Sequence, residues 1–253
     1  MRHALEFPPA RLLRLSQLER WHFWFVARRK LLDRLLSTAC PSGFARALDV
    51  GCGTGANVAV IRSHARRVAC IDFRPEGLVQ AAEQPRRDVH FVRGVATLLP
   101  FLSGGFDLVT VLDVLEHVDD EAALAEIRRV LRPGGALVIS VPAMPWLWSY
   151  RDRDAGHRRR YQRHRLLELI RESQFDLHWV NYFQCLLFPL VLARAVGRNT
   201  PGVRDLEETP APLLNAVLGW ISRAEVHLSR FVSWPFGSSL VAVCRKPDHE
   251  VSL

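Results

Sequence analysis

From Leu12 to Leu36 apolar residues recur at helical spacing (Leu15, Leu18, Phe25, Leu32, Leu35, Leu36), which predicts one or two helices carrying an aromatic knot, Trp21-His22-Phe23-Trp24-Phe25. Pro41-Ser42-Gly43 reads as a turn. The short apolar run Ala45–Val50 then leads into Gly51-Cys52-Gly53-Thr54-Gly55 and a helix-compatible segment, Ala56–Ala65, giving strand, glycine loop, helix. The pattern repeats. Arg67–Ile71 is a strand ending at Asp72, Gly77–Glu83 is helical, Val89–Val92 is extended and Phe106–Leu112 is an apolar strand. Helix Ala122–Leu131, the turn Arg132-Pro133-Gly134-Gly135 and strand Ala136–Val141 follow. Alternating β and α units predict a mainly parallel sheet with helices on both faces.

Beyond Pro142 the chain becomes a Trp- and Arg-rich loop (Pro145–Arg160), then helix Arg163–Glu172, then the alternation Phe175, Leu177, Trp179 that suits a strand. Phe183–Val196 and Pro212–Phe231 read as two helices, the second with Leu214, Val217, Ile221, Leu228 and Phe231 near helical spacing. Ser239–Cys244 is a closing strand, and Pro247–Leu253 reads as frayed. The 253 residues suit one large domain with appended parts: a helical cap over 1–40, a core over 41–182 and 236–246, and a helical insertion over 183–235.

Composition narrows the class. Apolar residues are 49% and charged residues 24%, a globular balance that excludes disordered, collagenous or coiled-coil chains. The net charge of +8 is almost all arginine, Lys30 and Lys246 being the only lysines, and it favours an anionic partner without choosing one. Five cysteines without C-x-x-C spacing suggest neither a disulfide framework nor a zinc cluster and fit a reducing, cytoplasmic setting. The first residues lack a signal-peptide core, and the longest apolar run, Cys185 to Ala193, is far short of the roughly 20 residues of a membrane span.

The strongest chemical signal is LDVGCGTG, Leu48 to Gly55. A strand that ends in glycines and opens a helix lets backbone N–H groups approach a ligand, and the helix end favours negative charge. Asp72, ending the next strand, can accept hydrogen bonds from both ribose hydroxyls of an adenosine-containing cofactor. Gly51, Gly53 and Ala56 also fit the dinucleotide fingerprint, so the loop alone leaves a nicotinamide enzyme open. Against that, neither lysine can complete a Tyr-x-x-x-Lys pair. His117, after the fourth strand, and His157, after the fifth, are candidate bases, each with a purely structural alternative. The loop after the fifth strand gathers Trp146, Trp148, Tyr150, Asp152, Asp154 and the run Arg158-Arg159-Arg160-Tyr161. Loops at this edge of an α/β sheet meet ligands, so its aromatics are expected to wall a hydrophobic acceptor, and Arg159, Arg160 and Tyr161 to hold its anionic end. No spacing demands a metal ion, although acidic and histidine residues lie near one another here.

Taken in order, LDVGCGTG, Asp72, LLPF (Leu98–Phe101), FDLV with LDVLEHV (Phe106–Val118) and RRVLRPGGALVISVP (Arg128–Pro142) resemble the class I S-adenosylmethionine-dependent methyltransferases, particularly the bacterial group with the ubiquinone-biosynthesis enzymes. The resemblance covers about Leu48 to Val141 and implies a seven-stranded doubly wound α/β sheet with an antiparallel last strand. It implies that Asp49, Gly51, Cys52, Gly53 and Gly55 hold the methionine end of the cofactor, Asp72 the ribose, and Phe73 the adenine. It adds Asp113, and an arginine of the N-terminal helix, Arg28 or Arg29. Where the family often has an adenine-binding aspartate, this chain has Val95 and Ala96, so backbone contacts take that place.

The expected function is methyl transfer from S-adenosylmethionine to a small or lipid-like, hydrophobic and anionic acceptor, with the 183–235 insertion as an apolar lid. A binding module of the same fold stays open. Peripheral contact with the inner membrane face or with an acidic carrier protein fits the basic, amphipathic insertion, whereas nucleic acid does not, for want of interleaved aromatics and lysines. Oligomeric state is not legible.

Overall fold

The computed structural model describes residues 16–83, 86–196 and 209–248. Helix α1 (Phe23–Ala39) buries Phe23, Ala27, Leu31 and Leu35, one stripe at four-residue spacing, and His22 caps it by accepting the Trp24 N–H at 3.2 Å. Strand β1 (Phe44–Val50) runs into the glycine loop and α2 (Val58–His64), followed by β2 (Ala65–Asp72), α3 (Pro75–Ala82), β3 (Val89–Arg93) and β4 (Phe106–Leu112). Next come α4 (Asp120–Val130) and β5 (Leu131–Pro142). Asp119 caps α4, with Asp120 and Glu121 in its first turn and Arg128 and Arg129 in its last, the charge order its dipole favours.

Then follow α5 (Tyr150–Ala155), α6 (Arg163–Glu172), β6 (Asp176–Phe183), α7 (Phe188–Val196), α8 (Pro212–Leu228) and β7 (Ser239–Arg245). The seven strands lie in the order β3-β2-β1-β4-β5-β7-β6. The first five are parallel, and β7 runs antiparallel to both neighbours. One buried cluster (Leu48, Val109, Leu124, Ile139, Leu166) and another (Leu36, Ile61, Val68, Leu108, Val138) pack the sheet's two faces. β1 reverses strand order between β2 and β4, so the carboxyl ends of β1 and β4 flank the crevice where such sheets bind ligands.

Several boundaries differ from expectation. The N-terminal helix is expected from Leu12, but residues 12–15 lie outside the described part, as do 197–208 and 249–253. β5 starts at the expected turn, because Leu131 already pairs with Phe106 and an irregularity before Leu108 absorbs the prolyl-glycyl residues. The loop expected over Pro145–Arg160 contains α5. Ser149 makes its capping box, donating its own N–H to Asp152 Oδ2 at 2.8 Å, and Gly156 closes it in the left-handed region (φ 69°). The helix expected from Phe183 starts only at Phe188. Phe183 completes β6, and the buried Glu225 of α8 accepts the Cys185 and Leu186 N–H groups, both at 2.9 Å, fixing a turn instead.

Candidate functional site

The glycine loop, the ends of β2 and β4, the start of α1, the 151–160 segment and the start of α7 enclose one continuous cavity of about 1220 Å³. Its floor is the loop. Gly51 adopts φ 72°, and a Cβ there would sit 2.3 Å from Val114 Cγ2. Gly53 adopts φ 53° and a Cβ there would meet nothing within 4 Å, so its backbone is laid open to the cavity. Asp72 braces this turn by accepting the Gly53 N–H on Oδ2 at 2.8 Å and the Arg74 N–H on Oδ1 at 2.9 Å, and burial raises its carboxyl above the ordinary range.

Phe73, Gly94, Val95 and Ala96 continue the wall. Arg28 reaches from α1 across the opening, its guanidinium paired with Asp113 Oδ2 and lying 4.5 Å over the Trp24 ring. Asp113 is itself held in the left-handed region (φ 58°) and accepts the Ser140 hydroxyl at 3.0 Å. Arg29 instead donates to the Glu19 carbonyl at 2.5 Å. Glu19, whose carboxylate takes the Thr54 hydroxyl, also lines the cavity, with Trp24 and Phe25 beside it. Sequence reasoning passed over Glu19, which lies before the aromatic knot with no motif around it.

Asp49 is not among the cavity's lining residues. It is 1% exposed beneath the loop, accepts the Thr110 hydroxyl at 2.6 Å on one oxygen and leaves the other without a hydrogen-bond partner among the described residues, and burial pushes its carboxyl up to about 7. It sits where it can shape the loop from below rather than touch a ligand. The Cys52 thiol lines the cavity but is pushed up by hydrogen bonding with Cys70 and by burial, which keeps it protonated and inert.

His117 and His157 meet in the wall of the same cavity. Their ring centroids are 4.8 Å apart; His117 Nδ1 lies 3.3 Å from the Gly156 carbonyl and His157 Nδ1 lies 2.8 Å from Asp152 Oδ1. Asp152 also takes Arg160 Nε at 2.7 Å, and together the two partners outweigh burial and hold its carboxyl well below the usual range. His157 Nε2 lies 3.8 Å from Oε1 of Glu116, a fully buried carboxyl neither of whose oxygens has a hydrogen-bond partner among the described residues. Burial, with Asp113 nearby, raises the Glu116 carboxyl well above the ordinary range. Glu116 is not singled out by the sequence, because its burial is a tertiary property with no mark in the local chain.

The acceptor loop divides differently from expectation. Tyr161 bridges to Ala143, donating its N–H to the Pro142 carbonyl at 2.8 Å, and successive side chains of this pinned segment turn to opposite sides. Arg158 and Arg160 therefore line the cavity, while Arg159 and Tyr161 both point to Asp120, at 2.6 and 2.8 Å. Trp146 is half-exposed against Phe188, and Trp148 and Tyr150, like Trp146, are absent from the lining. Arg151, Asp152, Arg153 and Asp154 of α5 face the cavity in their stead. Of the insertion, Gln184, Leu187, Leu190 and Val191 contribute wall. The α8 residues Leu214 and Ile221 pack on Phe23 of α1 with Leu218 and Leu187, so α8 backs the cap instead of lining the cavity.

Residues 48–139 match the model of a methyltransferase domain family. The chain is 41% identical over 184 residues to a demethylmenaquinone methyltransferase of Beutenbergia cavernae (72% of this chain, 63% of the relative), and so spans less than two thirds of that relative's length. It is 30% identical over 183 residues to a malonyl-[acyl-carrier protein] O-methyltransferase of Enterobacter lignolyticus (70% of this chain, 71% of the relative). In fold it is similar to the N-methyltransferase NodS of Bradyrhizobium japonicum, solved with S-adenosyl-L-homocysteine, at TM-score 0.59 and 17% identity over 91% of both chains. Strand order, glycine floor and relatives agree: the chain belongs to the class I S-adenosylmethionine-dependent methyltransferases.

Proposed function

We propose that this protein transfers a methyl group from S-adenosylmethionine to a hydrophobic acceptor with an anionic end. The observation that carries this is the continuity of the cavity: the glycine floor with Asp72 at one end and an apolar, arginine-flanked chamber at the other share one space. The residues present fit the cofactor. Gly53 leaves open the room a side chain would fill, and Arg28 holds a buried Nε without a hydrogen-bond partner among the described residues. Asp72 keeps lone pairs for ribose hydroxyls beyond the two N–H groups it already accepts, Arg28 suits a carboxylate, and Phe73, Val95 and Ala96 provide an adenine wall. The bound cofactor supplies an electrophilic sulfonium methyl. The chain's own task is then to hold a nucleophile in line and exclude water.

Trp24, Phe25, Leu187, Leu190 and Val191 suit the acceptor's apolar body, and Arg151, Arg153 and Arg158 its anionic end. Its reacting atom belongs at the Glu116, His117 and His157 cluster, which eases loss of its proton. Demethylmenaquinone and malonyl-[acyl-carrier protein], the acceptors in the names of the two relatives, are the first to assay. Calorimetric titration with S-adenosylhomocysteine, then transfer of labelled methyl to those acceptors, tests the proposal. Tighter binding of NAD than of the methyl-donor product would refute it.

Peripheral contact with an anionic membrane is a second role, favoured by the outer face of α8, where Leu213, Val217 and Trp220 are exposed beside Arg223, with Phe231 and Arg230 just beyond the helix. Among the described residues no helix is long and apolar enough to cross a membrane. Co-sedimentation with phosphatidylglycerol vesicles, compared with Trp220→Ser, tests that role; equal recovery of the two proteins from the vesicles refutes it.

A further inference from the structure

Glu116, His117 and His157 come from two separate segments, the short 3-10 helix after β4 (Leu115–His117) and the turn that follows α5, yet their ligand atoms all lie within 4.8 Å of one another. We infer that this cluster is a divalent-cation site, in which Glu116, His117 and His157 are the protein ligands and the acceptor's reacting oxygen takes an open position on the cavity side. This deepens the methyl-transfer proposal and rests on it for the role of the ion.

Three independent features point to a cation. The Glu116 side chain is 0% exposed, lines the cavity, and neither of its oxygens has a hydrogen-bond partner among the described residues. Burying a carboxyl without a partner is costly, and such groups in folded proteins are neutralised, paired or bound to metal. Next, Asp152 holds His157 by Nδ1 and thereby directs Nε2, 3.8 Å from Glu116 Oε1, toward the common point. A carboxylate behind a histidine in this way is the orientation device of metal sites, fixing the tautomer and raising the basicity of the ligating nitrogen. Arg160, which shares Asp152, is 6% exposed and gives the carboxylate a second anchor. Lastly, two imidazoles and one carboxylate are a donor set that suits zinc, iron(II), cobalt(II) or manganese(II) in sites that keep positions open for substrate.

The role follows from the position. The cluster shares the cavity with the apolar wall of Leu187, Leu190 and Val191 and with the glycine floor. An acceptor hydroxyl that replaces water on the cation has its pKa lowered, its proton passes to solvent water, and its oxygen is left as the nucleophile facing the methyl-donor end. The ion also gives Glu116 the positive partner that the described residues do not place within hydrogen-bond reach.

The test uses the full chain, freed of metal by chelator and titrated with cobalt(II), followed by the visible ligand-field bands that imidazole and carboxylate ligation produces and by calorimetry. One cobalt(II) per chain is expected. Glu116→Gln and His157→Ala should each weaken binding by more than about 100-fold, and Asp152→Asn, which weakens the carboxylate that orients His157, by about 10- to 100-fold. Glu116→Gln keeps the shape and removes the buried charge, and thermal unfolding checks that each variant is folded. Failure of the wild-type chain to bind cobalt(II), or equal affinity in the folded Glu116→Gln variant, overturns the site. Titration of the same wild-type sample with S-adenosylhomocysteine keeps the two proposals apart: its binding without cobalt(II) refutes the cation alone, and its absence refutes the methyl-transfer proposal.

Discussion

Replacing Asp72 by alanine removes two things at once. The Gly53 and Arg74 N–H groups, at 2.8 and 2.9 Å, lose their shared acceptor, and under the proposed function the cofactor loses the carboxylate for its ribose. A hydrogen bond to a charged group is worth about 1.5–3 kcal/mol, so the ligand's loss alone predicts about 10- to 150-fold weaker binding of S-adenosylhomocysteine. The orphaned Gly53 N–H adds a structural cost, because that bond braces the turn in which Gly53 sits at φ 53°, and a fall in stability of about 1–3 kcal/mol is expected with it. Asp72→Asn separates the two effects. Its amide offers one acceptor oxygen and one donor, so one of the two N–H groups stays satisfied and the loop is better kept than in the alanine variant. Calorimetry on both variants, with urea unfolding on the same preparations, gives the pair of numbers. Wild-type affinity in a folded Asp72→Ala variant would refute the assignment of Asp72 to the ribose. Equal stability of wild type and Asp72→Ala would refute its role as the brace of the loop.

Four further outcomes are expected. Gly51→Ala forces a Cβ to 2.3 Å from Val114 Cγ2 at φ 72° and should cost about 2–4 kcal/mol in urea unfolding, whereas Gly53→Ala, with open space around it, should cost about 1–2 kcal/mol and chiefly weaken cofactor binding. Arg159→Ala should lower stability by about 1 kcal/mol through loss of the Asp120 pair and leave the acceptor Michaelis constant unchanged, since Arg159 faces away from the cavity; a raised constant would put it back among the acceptor's contacts. His157→Ala should lower turnover while sparing S-adenosylhomocysteine affinity, as measured by single-turnover kinetics and calorimetry, because His157 lies with Glu116 and Asp152 rather than in the glycine floor. Asp49, raised to about 7, keeps its proton in the folded chain after the unfolded chain has lost it near 3.8, so stability relative to Asp49→Asn should fall as pH rises from about 4 to 7 and level off above; a flat difference across that range refutes the raised carboxyl.

The sheet was legible in the sequence because parallel strands buried on both faces are written as short apolar runs, and Phe106–Leu112 agrees to the residue. The glycine floor was legible for a related reason: few residues other than glycine accept the positive φ of Gly51, Gly53 and Gly55. Helix α5 carries its signal in the chain, Ser149 three residues before Asp152 and Gly156 at the end, but its six residues are too few, among tryptophans and arginines, to show a helical apolar period. Arg159 and Arg160 could not be told apart by type. Which one meets the cavity depends on the phase set by the Ala143–Tyr161 bridge, and that pairing is long-range. Glu116 and Asp49 carry no local mark either, since burial of a carboxyl is decided by what packs over it.

Asn215 of α8 accepts the Phe23 N–H at 2.9 Å on its side-chain oxygen and donates to the Trp21 carbonyl at 3.0 Å, stitching the start of α1 to a helix 192 residues away. Together with the packing of Phe23 on Leu218, this makes the two helices a candidate foldon that opens and closes as one. Arg28, Trp24 and Phe25 ride on the α1 half of that unit, so its opening exposes the cavity from above. By mass action, whatever fills the cavity must then slow amide exchange throughout α8, including turns that no ligand touches.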